Sequence, residues 1–221
     1  MCGRYSLEAK SKEIVEAFAL SEAIAITPRY NIAPTQTAPV VRLDRETGGC
    51  RLDMIRWGLT PRWAKGPRPI INARSETIAQ KPSFRSAFRR RRCLVPATGF
   101  FEWQKLGSAK QPFYIRLRDR GVFAFAGIWD RSESGDGGQV ECFAILTTTP
   151  NRTMAPIHNR MPVILDRAAY GRWLDQEVES AEPLADLLGS ASDDLLEAYP
   201  VSSRVNSPAH DDAECVRPLV E

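Results

Sequence analysis

The sequence predicts an α+β fold: one β-rich domain with a barrel-like, mixed or antiparallel sheet at its core and a few peripheral helices. Two observations predict this class. Seven runs rich in Val, Ile, Phe and Thr are bounded by turn residues, as strands are, whereas helical patterns are few and short. A chain of 221 residues without a repeat or a low-complexity linker fits one domain. We therefore expect a single domain over 1–221, in which 206–221 is a loosely packed C-terminal segment.

Each predicted strand is an apolar run that ends at turn residues. The stretch SESGDGGQ at 132–139 joins two of these runs, and its Gly, Ser and Asp are typical of a hairpin loop. Together the runs favour a closed or half-closed barrel with helices packed outside it. The predicted strands are 38–43, 93–97, 100–103, 112–117, 122–129, 140–147 and 162–165.

The predicted helices are short and amphipathic. In the second of them Phe84 and Phe88 stand four residues apart, which places both rings on one face. Asp166 is a suitable N-cap for the third. The predicted helices are 11–20, 83–90, 167–174, 182–188 and 193–198.

The charge balance is weakly basic, with a net charge of +3. A balance this small does not by itself identify a nucleic-acid-binding protein. Its distribution is uneven, because five arginines lie close together and acidic residues concentrate after Glu177. Two interpretations of the arginine cluster stay open, a solvated face and a binding face. Its members are Arg85, Arg89, Arg90, Arg91 and Arg92.

The five cysteines are odd in number and show no CxxC spacing, so the sequence indicates neither a zinc site nor a disulfide framework. Cys93 and Cys142 lie in apolar runs, as small core residues do. No signal peptide precedes Cys2, and no apolar run approaches the ~18 residues of a membrane span. We expect a cytoplasmic protein that binds no membrane, metal or other cofactor.

The most distinctive position is Cys2, directly after Met1. Removal of Met1 would leave an α-amine and a thiol on one residue, with ordinary pKa values of about 7.7–8.0 and about 8.5. Such a pair can condense with an aldehyde to an imine and then close a five-membered thiazolidine ring. The alternative is a chance cysteine in a frayed chain end.

Three further segments place a polar residue in apolar or turn-like sequence, and each allows two interpretations. Asn72 in INARSET is either a turn or cap residue or an amide that orients a ligand. Glu102, between Phe101 and Trp103, is either exposed on a strand or a cleft carboxylate whose raised pKa suits acid–base chemistry. His158 in IHNRMP is either structural or catalytic.

These segments occur together in one order along the chain. They are MCGRY (1–5), YNIAPTQ (30–36), RWGLTPRWAK (56–65), INARSET (71–77), GFFEW (99–103), IHNRMPVIL (157–165) and PVSSRVNSP (200–208). The set resembles the SRAP family, the SOS response-associated peptidase proteins, which process abasic sites in DNA. The resemblance spans almost the whole chain.

The resemblance implies a role for each matching residue. Cys2 would form a thiazolidine crosslink with the ring-opened sugar aldehyde of an abasic site, and Asn72 would orient the amine or the sugar. Glu102 would give acid–base help in opening the sugar ring, and His158 would act on the sugar oxygen or the imine. Residues expected to bind DNA are Arg4, Arg74 and Arg160 at the backbone and Trp63 as a wedge between bases.

The resemblance also implies a partner, single-stranded DNA that contains abasic sites and is bound without sequence preference. The family pattern is not complete, because some relatives carry two tryptophans where this chain has Arg62 and Trp63. We expect the chain to act as a monomer that associates with the nucleoid when it is bound to damaged DNA.

Two other functions remain open at this point. A cysteine peptidase would use Cys2 as nucleophile and His158 as base, most defensibly to remove its own Met1. A non-covalent single-strand-binding module would use Trp63 and the arginine cluster without any need for Cys2. The N-terminus distinguishes the three functions. A peptidase acting on other proteins would cleave added peptides, a binding module would not need Cys2, and a crosslinker needs only its own exposed amine.

Overall fold

The structure, a computed structural model, describes residues 2–21, 25–60, 69–133 and 138–219. The α-helices are α1 (Ser11–Phe18), α2 (Arg85–Arg90) and α3 (Tyr170–Leu174), and short 3₁₀ helices cover Ser75–Thr77, Arg167–Ala169, Glu182–Leu188, Ser203–Asn206 and Ala213–Cys215. The strands are β1 (Arg4–Leu7), β2 (Arg29–Ile32), β3 (Thr37–Leu43), β4 (Cys50–Trp57), β5 (Asn72–Arg74), β6 (Arg92–Ala97), β7 (Gly99–Leu106), β8 (Ala109–Leu117), β9 (Phe123–Glu133), β10 (Gln139–Thr148), β11 (Met161–Pro162), β12 (Ile164–Leu165) and β13 (Leu196–Pro200).

Five strands close into a barrel, which confirms the predicted fold class. The circuit runs β10-β4-β3-β6-β9 and returns to β10. The β10–β4 pair is parallel and the other four pairs are antiparallel. Closure pairs both sides of every barrel strand, so these five strands present no open edge. Strand β5 adds to β10 in parallel, with Asn72 opposite Ile145.

A second, antiparallel sheet in the order β13-β8-β7-β1-β2 packs against the barrel. Tyr5 on β1 joins the two sheets, because its ring lies 5.2 Å from that of Trp57 and 5.9 Å from that of Phe125. Phe100 on β7 adds an edge contact to Phe125 at 5.8 Å. Edge-on aromatic pairs of this kind stabilise beyond the area that they bury. The packing holds β1 and β7 in fixed positions beside the barrel.

The C-terminal segment covers the outer face of this second sheet. Asn31 on β2 donates through Nδ2 to the carbonyls of Val205, Ser207 and His210, at 3.2, 3.0 and 2.7 Å. The Asp211 carboxylate accepts from the backbone N–H groups of Tyr30 and Asn31 at 2.6 and 2.9 Å. The segment, for which we expected loose packing, is thereby fastened to β2 by side-chain hydrogen bonds.

One predicted helix is wrong. Residues 193–198 do not form a helix, since Leu196–Pro200 is β13 and pairs with β8, with Leu196 opposite Leu117. The local run Asp-Leu-Leu-Glu-Ala has good helix propensity. The unpaired edge of β8 offers a ladder of hydrogen bonds that overrides it. The predicted strand 162–165 is also divided, because β11 pairs with β10 whereas β12 pairs with β9.

Part of the arginine cluster serves the fold. Arg92 is buried, and its guanidinium donates to the carbonyls of Phe88 and Trp173, both at 2.6 Å, and also to those of Arg89 and Asp175. These carbonyls lie at the C-terminal ends of α2 and α3, where helices leave acceptors unsatisfied. Arg91 pairs with Asp130, and Arg90 pairs with Glu179.

We expect Arg92→Met to lower the free energy of unfolding by about 3 kcal/mol or more, because it leaves several buried carbonyls without donors. Arg89→Met, at an exposed position of the same cluster, should stay within about 0.5 kcal/mol of wild type. Urea unfolding of the two variants measures the difference. Equal losses in both variants would contradict the capping role of Arg92.

Candidate active site

Cys2 lies just ahead of β1 and is fully buried. Asn72, the first residue of β5, donates from Nδ2 to the Cys2 carbonyl at 2.8 Å. Its Oδ1 is buried and has no hydrogen-bond partner within the described part of the chain. A buried acceptor of this kind calls for a donor, so Asn72 can hold Cys2 with one end of its amide and receive an N–H or O–H with the other.

Glu102 lies in the middle of β7 with only 2% of its surface exposed. This position excludes the solvated-strand interpretation of the carboxylate. Burial raises its pKa above the ordinary value for glutamate, and the positive charge that His158 can carry acts in the opposite direction. A buried carboxyl group and a nearby imidazole are the kinds of group that carry out general acid–base chemistry.

The Glu102 carboxylate is close enough to the Cys2 thiol to affect its protonation. Burial raises the pKa of the Cys2 thiol far above the ordinary range, and the Glu102 charge adds to the increase. At neutral pH the sulfur is therefore held as a thiol, which is a weak nucleophile. Reaction at this sulfur requires a base, and Glu102 is a carboxylate in position to serve.

His158 is oriented by the loop that carries it. Its Nδ1 accepts from the backbone N–H of Arg160 at 3.0 Å, and its own backbone N–H donates to the Met154 carbonyl at 2.9 Å. The same Nδ1 lies 3.2 Å from the Arg160 carbonyl, a contact in which it would have to donate. The contact with the N–H is shorter, and a backbone N–H can only donate, so the geometry favours the tautomer that carries its proton on Nε2. The other ring nitrogen is thereby prepared to donate a hydrogen bond towards Glu102 or a bound group.

The three arginines predicted to bind DNA have different surroundings. Arg160 donates to both carboxylate oxygens of Glu76, at 2.5 and 2.9 Å, and to the Thr147 carbonyl at 2.6 Å. Its hydrogen bond is the main cause that lowers the pKa of Glu76. Arg4 donates to Asn31 Oδ1 and to the carbonyls of Val205 and Asn206. Both guanidinium groups therefore also hold the protein together.

Arg74 differs from the other two. It ends β5, two residues after Asn72, and its side chain is exposed. Its backbone belongs to the β5–β10 pair, but its side chain makes no hydrogen bond or ion pair with the rest of the described chain, so its guanidinium is available to a phosphate.

The fold thus brings Cys2, Asn72, Glu102 and His158 together from four distant parts of the chain. Trp63 lies outside the described residues. Two neighbours went unrecognised in the sequence: Glu76, which holds Arg160 across 84 positions, and Trp103, whose Nε1 donates to Asn206 Oδ1 at 2.8 Å. Both lie inside quoted motifs, but spacing alone cannot show which distant residues they meet.

Residues 1–208 match the SOS response associated peptidase (SRAP) family. The chain belongs to that family. Abasic site processing protein YoqW of Bacillus subtilis is 38% identical to it, with 98% of this chain and 99% of that one covered. Abasic site processing protein YedK of Escherichia coli is 32% identical, with 99% and 100% covered.

The solved structures agree with this relationship. The crystal structure of a protein from Bacteroides thetaiotaomicron superposes with a TM-score of 0.87 at 28% identity and covers 99% of this chain and all of that one. Within the described residues, no group of three His, Cys, Asp or Glu side chains could hold a metal ion, and no helix there has the length and apolarity to cross a membrane.

The burial of Glu102 should make the stability of the protein depend on pH. Its pKa is raised in the folded state, so ionisation at neutral pH costs free energy of folding, and the cost disappears once the carboxyl is protonated in both states. We expect Glu102→Gln to be more stable than wild type at pH 7, with a difference that shrinks to nothing below about pH 4. Thermal unfolding at several pH values measures it, and a constant difference would contradict the assignment.

Proposed function

We propose that this chain processes abasic sites in single-stranded DNA by linking Cys2 covalently to the sugar. The observation that carries the proposal is the buried carboxylate of Glu102 beside a cysteine whose carbonyl is held by Asn72. Membership in the SRAP family and similarity to proteins named for abasic site processing support the DNA substrate.

The proposed reaction begins once Met1 has been removed. The α-amine of Cys2 attacks the aldehyde carbon of the ring-opened sugar, and water leaves as the imine forms. The Cys2 sulfur then adds to the same carbon, and its proton passes to the nitrogen. The product is a five-membered thiazolidine, and the overall change is the loss of one water.

Glu102 is suited to the proton transfers of this sequence. An abasic sugar is mostly a closed hemiacetal, so ring opening requires a proton to leave the anomeric hydroxyl and one to reach the ring oxygen. Because burial raises the pKa of the Glu102 carboxyl, the group holds a proton more readily than an exposed glutamate does, as a general acid must. The same group can take the proton of the buried Cys2 thiol when the sulfur attacks.

Asn72 and His158 complete the proposed site. The Asn72 Oδ1 acceptor can receive the N–H of the Cys2 amine and so direct its lone pair at the aldehyde. His158 can donate from Nε2 to the sugar oxygen. Arg74 can bind a phosphate next to the abasic nucleotide. We assign Arg4 and Arg160 to phosphates of the same DNA strand.

A second reaction of the same residues prepares the first. The Cys2 sulfur can attack the Met1 carbonyl, transfer the acyl group from nitrogen to sulfur, and release Met1 when water hydrolyses the thioester. The buried thiol next to Glu102 favours this self-processing, because one base then serves both steps. We place the protein in the cytoplasm, where a terminal thiol stays reduced.

Intact mass spectrometry tests the crosslink directly. Wild-type protein should lose Met1 and, with single-stranded DNA carrying one abasic site, gain the mass of the DNA minus one water. Cys2→Ala should form no stable adduct, and Cys2→Ser should form at most an imine that disappears in acid or on dilution. A wild-type chain that has lost Met1 and still forms no adduct refutes the proposal.

The role of Arg74 can be separated from the chemistry. Arg74→Ala should slow crosslinking to abasic DNA about tenfold, since one charge-assisted phosphate contact is lost. Its reaction with a small free aldehyde should be unchanged, because no phosphate is involved. Arg89→Ala, at another exposed arginine, is the matched control. An equal loss with DNA and with the small aldehyde would contradict the phosphate role.

A further inference from the structure

The hairpin formed by β7 and β8 extends beyond the candidate active site. Arg4 on β1 lies opposite Phe101 on the antiparallel strand β7. The residues of β7 after Phe101 therefore run past the start of β1, on the side where Cys2 lies. Lys105 is three residues beyond Glu102, which corresponds to roughly 10 Å along the strand, and the odd spacing places its side chain on the other face of the hairpin, the face of Trp103.

A tight turn makes the end of this hairpin rigid. Leu106 pairs with Ala109, so the loop consists of Gly107 and Ser108 alone. Gly107 has a φ of 61°, whereas Ser108 keeps a negative φ, which is the pattern of a type II′ turn with glycine in the first central position. Such a turn matches the twist of the strands and fixes the positions of the side chains beside it.

The side chains at this end form an unusual pairing. Lys105 lies directly opposite Lys110, and both are exposed. Like charges in directly opposite positions destabilise a sheet, and among the described residues neither ammonium group has an acidic partner. Leu106, between them and the turn, has 54% of its surface exposed. A pairing that works against the stability of its own strand pair indicates a functional surface.

We propose that this hairpin tip, residues 105–110, binds the phosphates of the DNA strand that leads away from the abasic nucleotide. The inference rests on the proposed function and adds a contact beyond it. Two consecutive phosphates, one on each ammonium group, neutralise both charges and so remove their repulsion. The DNA strand passes around the hairpin to reach this face, so at about 3.4 Å per stacked nucleotide the contact lies at least about three nucleotides from the reacting sugar.

The test compares two double variants that remove equal charge. Lys105→Gln/Lys110→Gln changes the tip. Lys10→Gln/Lys12→Gln is the control, because both residues are exposed and lie beyond the opposite end of β1. Second-order crosslinking rates are measured between 50 and 200 mM salt on two substrates. One has ten nucleotides on each side of the abasic site, and the other has one.

On the long substrate, the plot of log rate against log salt should be shallower for the tip variant by about 1.4, the value for two phosphate contacts to a single strand. Its deficit relative to wild type should then be roughly sevenfold smaller at 200 mM than at 50 mM. The control should match wild type, and all three proteins should react alike with the short substrate.

Equal salt dependence of the tip variant and the control on the long substrate would overturn the tip contact. Failure of the proposed function looks different, because the wild-type chain would then form no adduct with either substrate. In that case, fluorescence anisotropy measures how tightly the tip variant and the control bind an intact single strand of the same length over the same salt range. A tip variant that binds this strand as tightly as the control does also refutes the contact.

Discussion

The burial of the Glu102 carboxylate is the constraint on which the rest of the site depends. A carboxylate loses much of its solvation in such a position, and this loss raises its pKa. The Cys2 thiol has a raised pKa chiefly because it is itself buried, and the Glu102 charge adds to the increase. The cost is tolerated because β7 is held firmly, between β1 on one side and β8 on the other. Strand pairing therefore supplies the rigidity that keeps an unfavourable charge beside a reactive residue.

The same physical logic explains how a chain end becomes part of an ordered site. Ends usually fray, but β1 lies between β7 and β2, and Asn72 holds the Cys2 carbonyl. The C-terminal segment adds a third restraint, since Arg4 and Asn31 both bond to its backbone carbonyls. Strand β5 thus restrains Cys2 directly, and the C-terminal segment restrains β1 and β2, the strands beside it.

Much of the fold could be predicted from local sequence. All seven predicted strands contain strand residues in the structure, because short runs of apolar β-branched and aromatic residues between turn residues favour the extended conformation. Residues 193–198 were predicted wrongly, since the partner that makes Leu196 extended lies on β8, about eighty positions away in the chain. Strands β1, β2, β4 and β5 were missed. Three of them are short and depend on pairing rather than on their own composition, whereas charged residues at 51, 53 and 56 interrupt the apolar pattern of β4. Arg92 looked like a surface charge from its neighbours, yet it caps two helices in the interior.

The sequence by itself determined the fold class and the family, because apolar runs and the identity and order of motifs along the chain carry that information. Tertiary structure decided which interpretation of each residue holds. Glu102 is buried rather than solvated, Arg160 is bound to Glu76, and Arg74 is open to solvent. These outcomes depend on contacts between segments many residues apart, and desolvation and pairing are properties of that assembled environment rather than of any local stretch of sequence.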